Sequence, residues 1–105
     1  MLEETLAAHP REASAHYNLG AILERAGNVG GAVDHYRIAI ETAPSYFEAR
    51  WALATALERT GQTEPALVQA AELARRWPQS AEIRNLLGVC LARLGRVDEA
   101  RRQFD

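Results

Sequence analysis

The sequence of 105 residues predicts an all-α protein, a helical-repeat solenoid in which antiparallel helix pairs stack on one another. Three observations lead to this prediction. Residues of the same type recur every 34 positions, apolar residues within each period follow helical spacing, and a glycine or a proline ends each helical run. A fixed period of this length is typical of one supersecondary unit stacked on copies of itself.

The period is visible in several independent columns of residues. Five of them keep one residue type: Leu19, Leu53 and Leu87; Leu23, Leu57 and Leu91; Gly27, Gly61 and Gly95; Ala32, Ala66 and Ala100; Pro10, Pro44 and Pro78. Two others vary more: the small residues Gly20, Ala54 and Gly88, and the larger set Leu2, Tyr36, Ala70 and Phe104. Agreement of so many columns on one period excludes an accident of composition.

Each period is predicted to hold two helices. The first runs from Ala13 to Gly27, where glycine tolerates the left-handed conformation that ends many helices. The second runs from Ala32 to Pro44, because proline cannot continue a helix. Three polar residues are predicted to cap the later helices: Ser45, in a capping box with Glu48, then Thr63 and Ser80.

One set of residues resembles the tetratricopeptide repeat pattern: His16, Leu19, Gly20, Leu23, Ala32, Tyr36 and Pro44. The resemblance covers the whole chain and implies a right-handed superhelix. It implies a single domain, residues 1–105, in which 1–12 is the second helix of a partial repeat, 13–46 and 47–80 are repeats, and 81–105 is a partial repeat. The chain departs from the family pattern at His16, Arg50 and Arg84, where a large apolar residue is usual, and at Thr63 and Pro65.

Composition excludes several classes of partner. The formal net charge is -2, which does not favour nucleic acid or a membrane surface. All twelve cationic residues are arginine, which indicates a high-GC coding bias and a bacterial source. No apolar run approaches the length of a membrane helix and no signal peptide follows Met1, so a cytoplasmic location is expected.

The resemblance also implies a partner-binding surface. In similar proteins the first helices of successive repeats line a concave groove that holds a peptide or a helix of another protein. The corresponding residues are Ser14, Tyr17, Ala21, Glu24, Glu48, Trp51, Thr55, Glu58, Glu82, Asn85 and Val89. Rigid aromatic residues make Tyr17 and Trp51 the main candidates, unless they pack between helices instead. The acidic residues favour a basic or amide-rich partner, with a solvated charged surface as the alternative.

Catalysis, metals and cofactors are not predicted. The three histidines show no ligand spacing with a carboxylate or with Cys90, and they are interpreted as isolated surface or packing residues. Cys90 is interpreted as a small buried apolar residue. A column of arginines, Arg25, Arg59 and Arg93, is interpreted as complementing helix dipoles. Cations required by carboxylate-binding members of the family are absent from the corresponding positions.

The predicted function is therefore a protein–protein interaction scaffold that binds a protein or peptide and is not an enzyme. Two alternatives stay open. The chain could self-associate head to tail through helical ends containing Leu2, Leu6, Leu94 and Phe104, or it could be a docking or regulatory segment of a larger enzyme. An excerpt of a longer repeat array is the preferred explanation of the incomplete helices at both ends.

Overall fold

The structure is a computed structural model that describes residues 10–104. The described part is all-α and contains no strand, as predicted. Its six helices are α1 (Arg11–Arg25), α2 (Val29–Thr42), α3 (Phe47–Arg59), α4 (Thr63–Arg76), α5 (Ala81–Arg93) and α6 (Val97–Phe104). The helix predicted for residues 1–12 lies almost wholly outside the described residues, and α1 begins two residues before Ala13.

The turn within each helix pair is built on a glycine with positive φ. The φ angles are 92° at Gly27, 83° at Gly61 and 79° at Gly95. Gly27 donates its N–H to the carbonyl of Glu24 at 3.0 Å, and Asn28 donates to the carbonyl of Leu23 at 2.8 Å. The turns at Gly61 and Gly95 repeat both hydrogen bonds. These bonds pair carbonyls that the helix leaves without partners, and the predicted glycine stops are confirmed.

Two of the three predicted caps are wrong by one residue. Ser80 caps α5 by accepting a hydrogen bond from the N–H of Ile83 at 3.2 Å. By contrast, α3 begins at Phe47 and its first helical bond goes to the carbonyl of Tyr46, so Ser45 lies one position too early for a capping box. Thr63 is the first residue of α4, and Gln62 occupies the cap position without a side-chain bond. An uncapped start is tolerated there because water satisfies exposed helix ends.

Contacts within the chain group it into two compact units, Met1–Leu53 and Ala54–Asp105, and each is described by itself. In the first unit α1 packs on α2. A core of small residues and one tyrosine lies at one end of this pair: Ala13, Ala39, Ala43, Tyr46 and Ala49. Alanines at these positions allow the helices to approach closely.

α1 approaches α2 closely at Gly20. A Cβ atom built on Gly20 would lie 2.6 Å from Cε1 and 2.8 Å from Cδ1 of Tyr36. The Tyr36 ring is only 2% exposed, so it has no free space into which to move. Glycine is therefore required here by the neighbouring ring, since its φ is not in the left-handed region.

In the second unit α5 packs against both α4 and α6. The buried side chains of these helices are mostly aliphatic: Ala66, Ala70, Leu73, Ile83, Leu86, Cys90, Leu91 and Ala100. Cys90 is fully buried, as predicted, and its thiol is free. Burial raises the pKa of the thiol, with a further contribution from the nearby carboxylate of Glu58.

Candidate interaction surface

The eleven residues predicted to bind a partner lie on α1, α3 and α5, which are the first helices of the three pairs. We call this set the first-helix surface. Its members in the first unit are Ser14, Tyr17, Ala21, Glu24, Glu48 and Trp51, and those in the second unit are Thr55, Glu58, Glu82, Asn85 and Val89. Every member is half-buried or exposed, so each retains some accessible area.

Tyr17 lies at the centre of an aromatic cluster in the first unit. Its ring centroid is 5.3 Å from that of Tyr46 and 5.9 Å from that of Tyr36. Tyr46 and Tyr36 are buried, whereas Tyr17 is half-buried and also packs against the alanine core. The Tyr17 ring therefore packs between helices, as one of the two interpretations expected, while the residue keeps some accessible area.

Two acidic residues of the first-helix surface lie near Tyr17. Burial is the largest cause of a raised pKa at the Tyr17 phenol, and the charges of Glu48 and Glu24 raise it further. We call Tyr17, Glu24 and Glu48 the acidic–aromatic patch. Tyr36 links two of the three, because its ring lies against that of Tyr17 and its hydroxyl bonds to Glu24, and the charge of Glu48 acts on Tyr17 from α3.

Glu24 is fixed in this patch by a hydrogen bond. The Tyr36 hydroxyl donates to Oε1 of Glu24 at 2.7 Å. Tyr36 belongs to α2, so the bond links the two helices of the first pair. The sequence did not predict this bond. Its only signal was that Glu24 and Tyr36 are twelve residues apart, on either side of the turn at Gly27.

The remaining members in the first unit are distributed along α1 and α3. Trp51 stacks against Phe47, one turn earlier on α3, with ring centroids 6.4 Å apart and planes inclined by 15°. Ser14 and Ala21 are half-buried on α1, at distances along the helix that place them one turn on either side of Tyr17. Glu48 is exposed in the first turn of α3, where its charge complements the helix dipole.

In the second unit Glu58 forms an ion pair with Arg93. Nε of Arg93 lies 2.7 Å from Oε2 of Glu58, whose side chain is only 15% exposed. Arg93 does lie in the last turn of its helix, as the dipole interpretation required, but it also links α5 to α3. The sequence contained a partial signal for this pair, because Glu24 and Glu58 are 34 residues apart, as are Arg59 and Arg93.

Glu82 and Asn85 line an open pocket of about 300 Å³ at the start of α5. Arg84 on the same helix and Gln103 on α6 complete its polar lining. Amide, guanidinium and carboxylate groups together supply both donors and acceptors of hydrogen bonds. The other two predicted residues, Thr55 and Val89, are half-buried and do not line this pocket.

Two histidines predicted to be isolated are paired. Nδ1 of His16 on α1 lies 2.9 Å from Nδ1 of His35 on α2, so one imidazole donates to the other. The prediction of single histidines is therefore wrong for these two, because helices α1 and α2 bring side chains 19 residues apart into contact. His9 lies outside the described residues.

No group of three or more histidine, cysteine or acidic side chains that could hold a metal ion occurs within residues 10–104. In the same part of the chain, every helix is too short or too polar to cross a membrane. The predicted head-to-tail contact involves Leu2, Leu6 and the side chain of Phe104, which lie outside the part that the structure describes.

Comparison with known proteins identifies relatives of this fold. A tetratricopeptide repeat model matches residues 1–47, 31–74 and 52–105, which together span the chain. Comparison with curated protein sequences gives no significant match.

Among solved structures, MamA 41-end from Desulfovibrio magneticus RS-1 is 22% identical, with a TM-score of 0.76 over 88% of this chain and 54% of that one. MamA from AMB-1 is 23% identical, with a TM-score of 0.83 over 98% of this chain and 56% of that one. YrrB, described as a TPR protein with an unusual peptide-binding site, is 25% identical, with a TM-score of 0.80 over 96% of this chain and 52% of that one.

The chain thus spans slightly more than half the length of each of these three proteins. Their similarity confirms the helical-repeat solenoid predicted from the 34-residue period. Since the family matches also cover every residue, the chain belongs to the tetratricopeptide repeat family.

Proposed function

We propose that the chain is a protein-interaction scaffold that holds a segment of another polypeptide against its first-helix surface, without a catalytic step or a cofactor. Membership of a repeat family built from stacked helix pairs supports this function. YrrB, described as having a peptide-binding site, shares the fold. The net charge of -2 favours a polypeptide partner over nucleic acid or a membrane.

The observation that supports the proposal most directly is the acidic–aromatic patch. Tyr17 offers part of a ring face, and the carboxylates of Glu24 and Glu48 lie close enough to raise the pKa of its phenol. A cation positioned over an aromatic ring and beside a carboxylate is stabilised by both. We therefore expect the patch to bind a lysine or arginine side chain of the partner.

The open pocket in the second unit, taken by itself, is also suited to a polypeptide ligand. Asn85 and Gln103 present side-chain amides in the open pocket, and Arg84 and Glu82 present charges of opposite sign. Amide groups recognise an extended peptide backbone because each offers a donor and an acceptor. We therefore expect this pocket to bind polypeptide backbone, and the acidic–aromatic patch to bind a basic side chain.

The experiment is a selection from a displayed library of random hexapeptides against the full chain, followed by affinity measurements with the selected peptides. Lysine and arginine are expected to be enriched. The variant Glu48→Gln should lower the affinity by about two- to fivefold, corresponding to about 0.5–1 kcal/mol for an exposed ion pair. Raising the salt concentration should reduce this difference.

Glu41→Gln is the matched control, because Glu41 is equally an exposed glutamate but lies on α2, outside the first-helix surface. It should leave the affinity unchanged. Selected peptides without basic residues, or equal affinity for the unmodified chain and the Glu48→Gln variant, would show that the acidic–aromatic patch is not the binding site.

A further inference from the structure

A second accessible groove lies in the second unit, lined mainly by the second helices α4 and α6. It has a volume of about 260 Å³, and we call it the second-helix groove. Leu67 and Ala71 of α4 line one side, and α6 lines the other with residues that include Arg102. Leu87 and Leu91 come from α5, which packs against both of these helices.

The groove is open because the small residue Ala71 lines it together with the large apolar residue Leu87. Leu87 is only half-buried, whereas Leu53, the equivalent residue one period earlier, is 0% exposed. The period also places Ala71 where the preceding repeat has Arg37. Ala71 is itself exposed, so its short side chain covers little of the leucine surface beside it. The second-helix groove therefore presents aliphatic surface that a ligand could remove from water.

The charges at the rim of the groove indicate what kind of ligand fits. Arg96 donates to both carboxylate oxygens of Glu99, from Nε at 2.5 Å and from Nη2 at 2.9 Å. This bidentate pair occupies the one carboxylate of the lining. Arg102 is exposed and forms no ion pair within 4 Å of a carboxylate among residues 10–104, although its charge, after that of Arg96, helps to lower the pKa of the Glu99 carboxyl. The rim thus offers a guanidinium group to an incoming anion.

We propose that the second-helix groove binds a polypeptide segment that presents an aliphatic side chain next to a carboxylate. The aliphatic side chain lies against Leu67, Leu87 and Leu91, and the carboxylate pairs with Arg102. This ligand is opposite in charge to the basic segment expected at the first-helix surface, so the two surfaces have different partners.

The experiment uses the same random hexapeptide library on the full chain, with removal of every peptide that also binds an Ala71→Arg variant. This variant restores the residue type of the preceding repeat and fills the groove. Peptides that survive should be enriched in leucine, isoleucine or valine adjacent to aspartate or glutamate. Their affinity should fall about tenfold in Arg102→Glu, because an attractive ion pair becomes a repulsive one.

Arg101→Glu is the matched control, since Arg101 is an exposed neighbour on α6 that does not line the groove. It changes net charge equally and should leave the affinity unchanged. Helical circular dichroism establishes that the variants are folded. If Ala71→Arg is not folded, the comparison of Arg102→Glu with Arg101→Glu still tests the proposal. Equal losses in the two arginine variants, or no enrichment of aliphatic–acidic pairs, overturn it.

A second copy of the chain is the other possible occupant of the groove. In that case sedimentation of the unmodified chain would show association that increases with concentration and is absent in Ala71→Arg. Such association, together with no enrichment of aliphatic–acidic peptides, also overturns the proposal. The affinity of the basic peptides for the Glu48→Gln variant is measured separately, so the two binding surfaces are tested independently.

Discussion

The hydroxyl of Tyr36 and the carboxylate of Glu24 form a 2.7 Å hydrogen bond that joins α1 to α2 beneath the acidic–aromatic patch. Tyr36 is buried while Glu24 is half-buried, so the bond links the core of the first unit to its surface. It holds a carboxylate of the predicted binding surface in a fixed position. We therefore expect substitutions of Glu24 to change stability as well as binding at the proposed surface.

Tyr36→Phe should destabilise the chain by about 1–2 kcal/mol, because a charge-assisted hydrogen bond is lost while the ring stays in place. Urea denaturation followed by circular dichroism measures the change. The double-mutant cycle with Glu24→Gln should give a positive coupling energy, since the two residues contact each other directly. A coupling indistinguishable from zero would mean that the bond does not form in solution.

Gly20→Ala should destabilise the chain by about 1–3 kcal/mol, the usual cost of overpacking a filled core. The added Cβ would meet the buried Tyr36 ring at 2.6 Å. Gly30→Ala provides the control, because a Cβ at Gly30 would have nothing within 4 Å. That substitution should be neutral or stabilising by up to about 1 kcal/mol, since alanine favours helix. Equal effects of the two substitutions would contradict the predicted packing.

Glu72 should contribute an acid-dependent component of stability at the end of α4. Hydrogen bonds from Arg75 and then Arg76 lower the pKa of its carboxyl from 4.5 to about 2. Because the pKa is lower in the folded state, this stabilisation is fully present above pH 4.5 and is lost as the pH falls toward about 2. Nuclear magnetic resonance of the Glu72 carboxyl carbon measures the pKa directly.

Glu72→Gln should remove that part of the acid dependence, whereas Glu41→Gln on α2 should retain it. Since Glu72 lies on a half-exposed surface with exposed arginine partners, high salt should also raise its pKa toward the ordinary value. A titration midpoint that stays near 4.5 at low salt would show that the arginine pairs do not persist.

Cys90 should react with a thiol reagent only when the second unit opens. Its side chain is fully buried, and burial raises the pKa of the thiol, so the reactive thiolate is scarce at neutral pH. Labelling in buffer should be slower than in concentrated urea by on the order of 10³, since reaction requires unfolding of packed helices. Rapid labelling of the native chain would place Cys90 at the surface instead.

The helices and the glycine turns were predictable because the information that specifies them is local. Gly27, Gly61 and Gly95 each adopt a positive φ, and a glycine at the end of a helical pattern is by itself a signal for such a turn. The starts of α3 and α4 were less well predicted, because polar residues lie near each boundary. The residue preceding α3 is the one after Ser45, and the residue preceding α4 is the one before Thr63.

Contacts between helices were harder to predict than the helices themselves. The His16–His35 pair and the Glu58–Arg93 pair depend on side-chain directions across a helix interface, which spacing within one helix does not specify. The same limit applies to Tyr17, since a residue at the edge of a core can face both the core and solvent. The resemblance to a known family supplied the residues of the first-helix surface, and packing between helices decides which of them are in contact.

The close fit of Gly20 to Tyr36 also bears on how residue sizes are matched within each repeat. The same two columns contain Gly20 with Tyr36, Ala54 with Ala70, and Gly88 with Phe104, so an aromatic residue accompanies glycine and a small residue accompanies alanine. At Gly20 and Tyr36, where the contact is observed, the two residues therefore share one volume. Replacing Gly20 by alanine alone creates a clash and replacing Tyr36 by alanine alone creates a void, whereas both changes together, which reproduce the pair Ala54 and Ala70, should cost less than the sum of the two single changes.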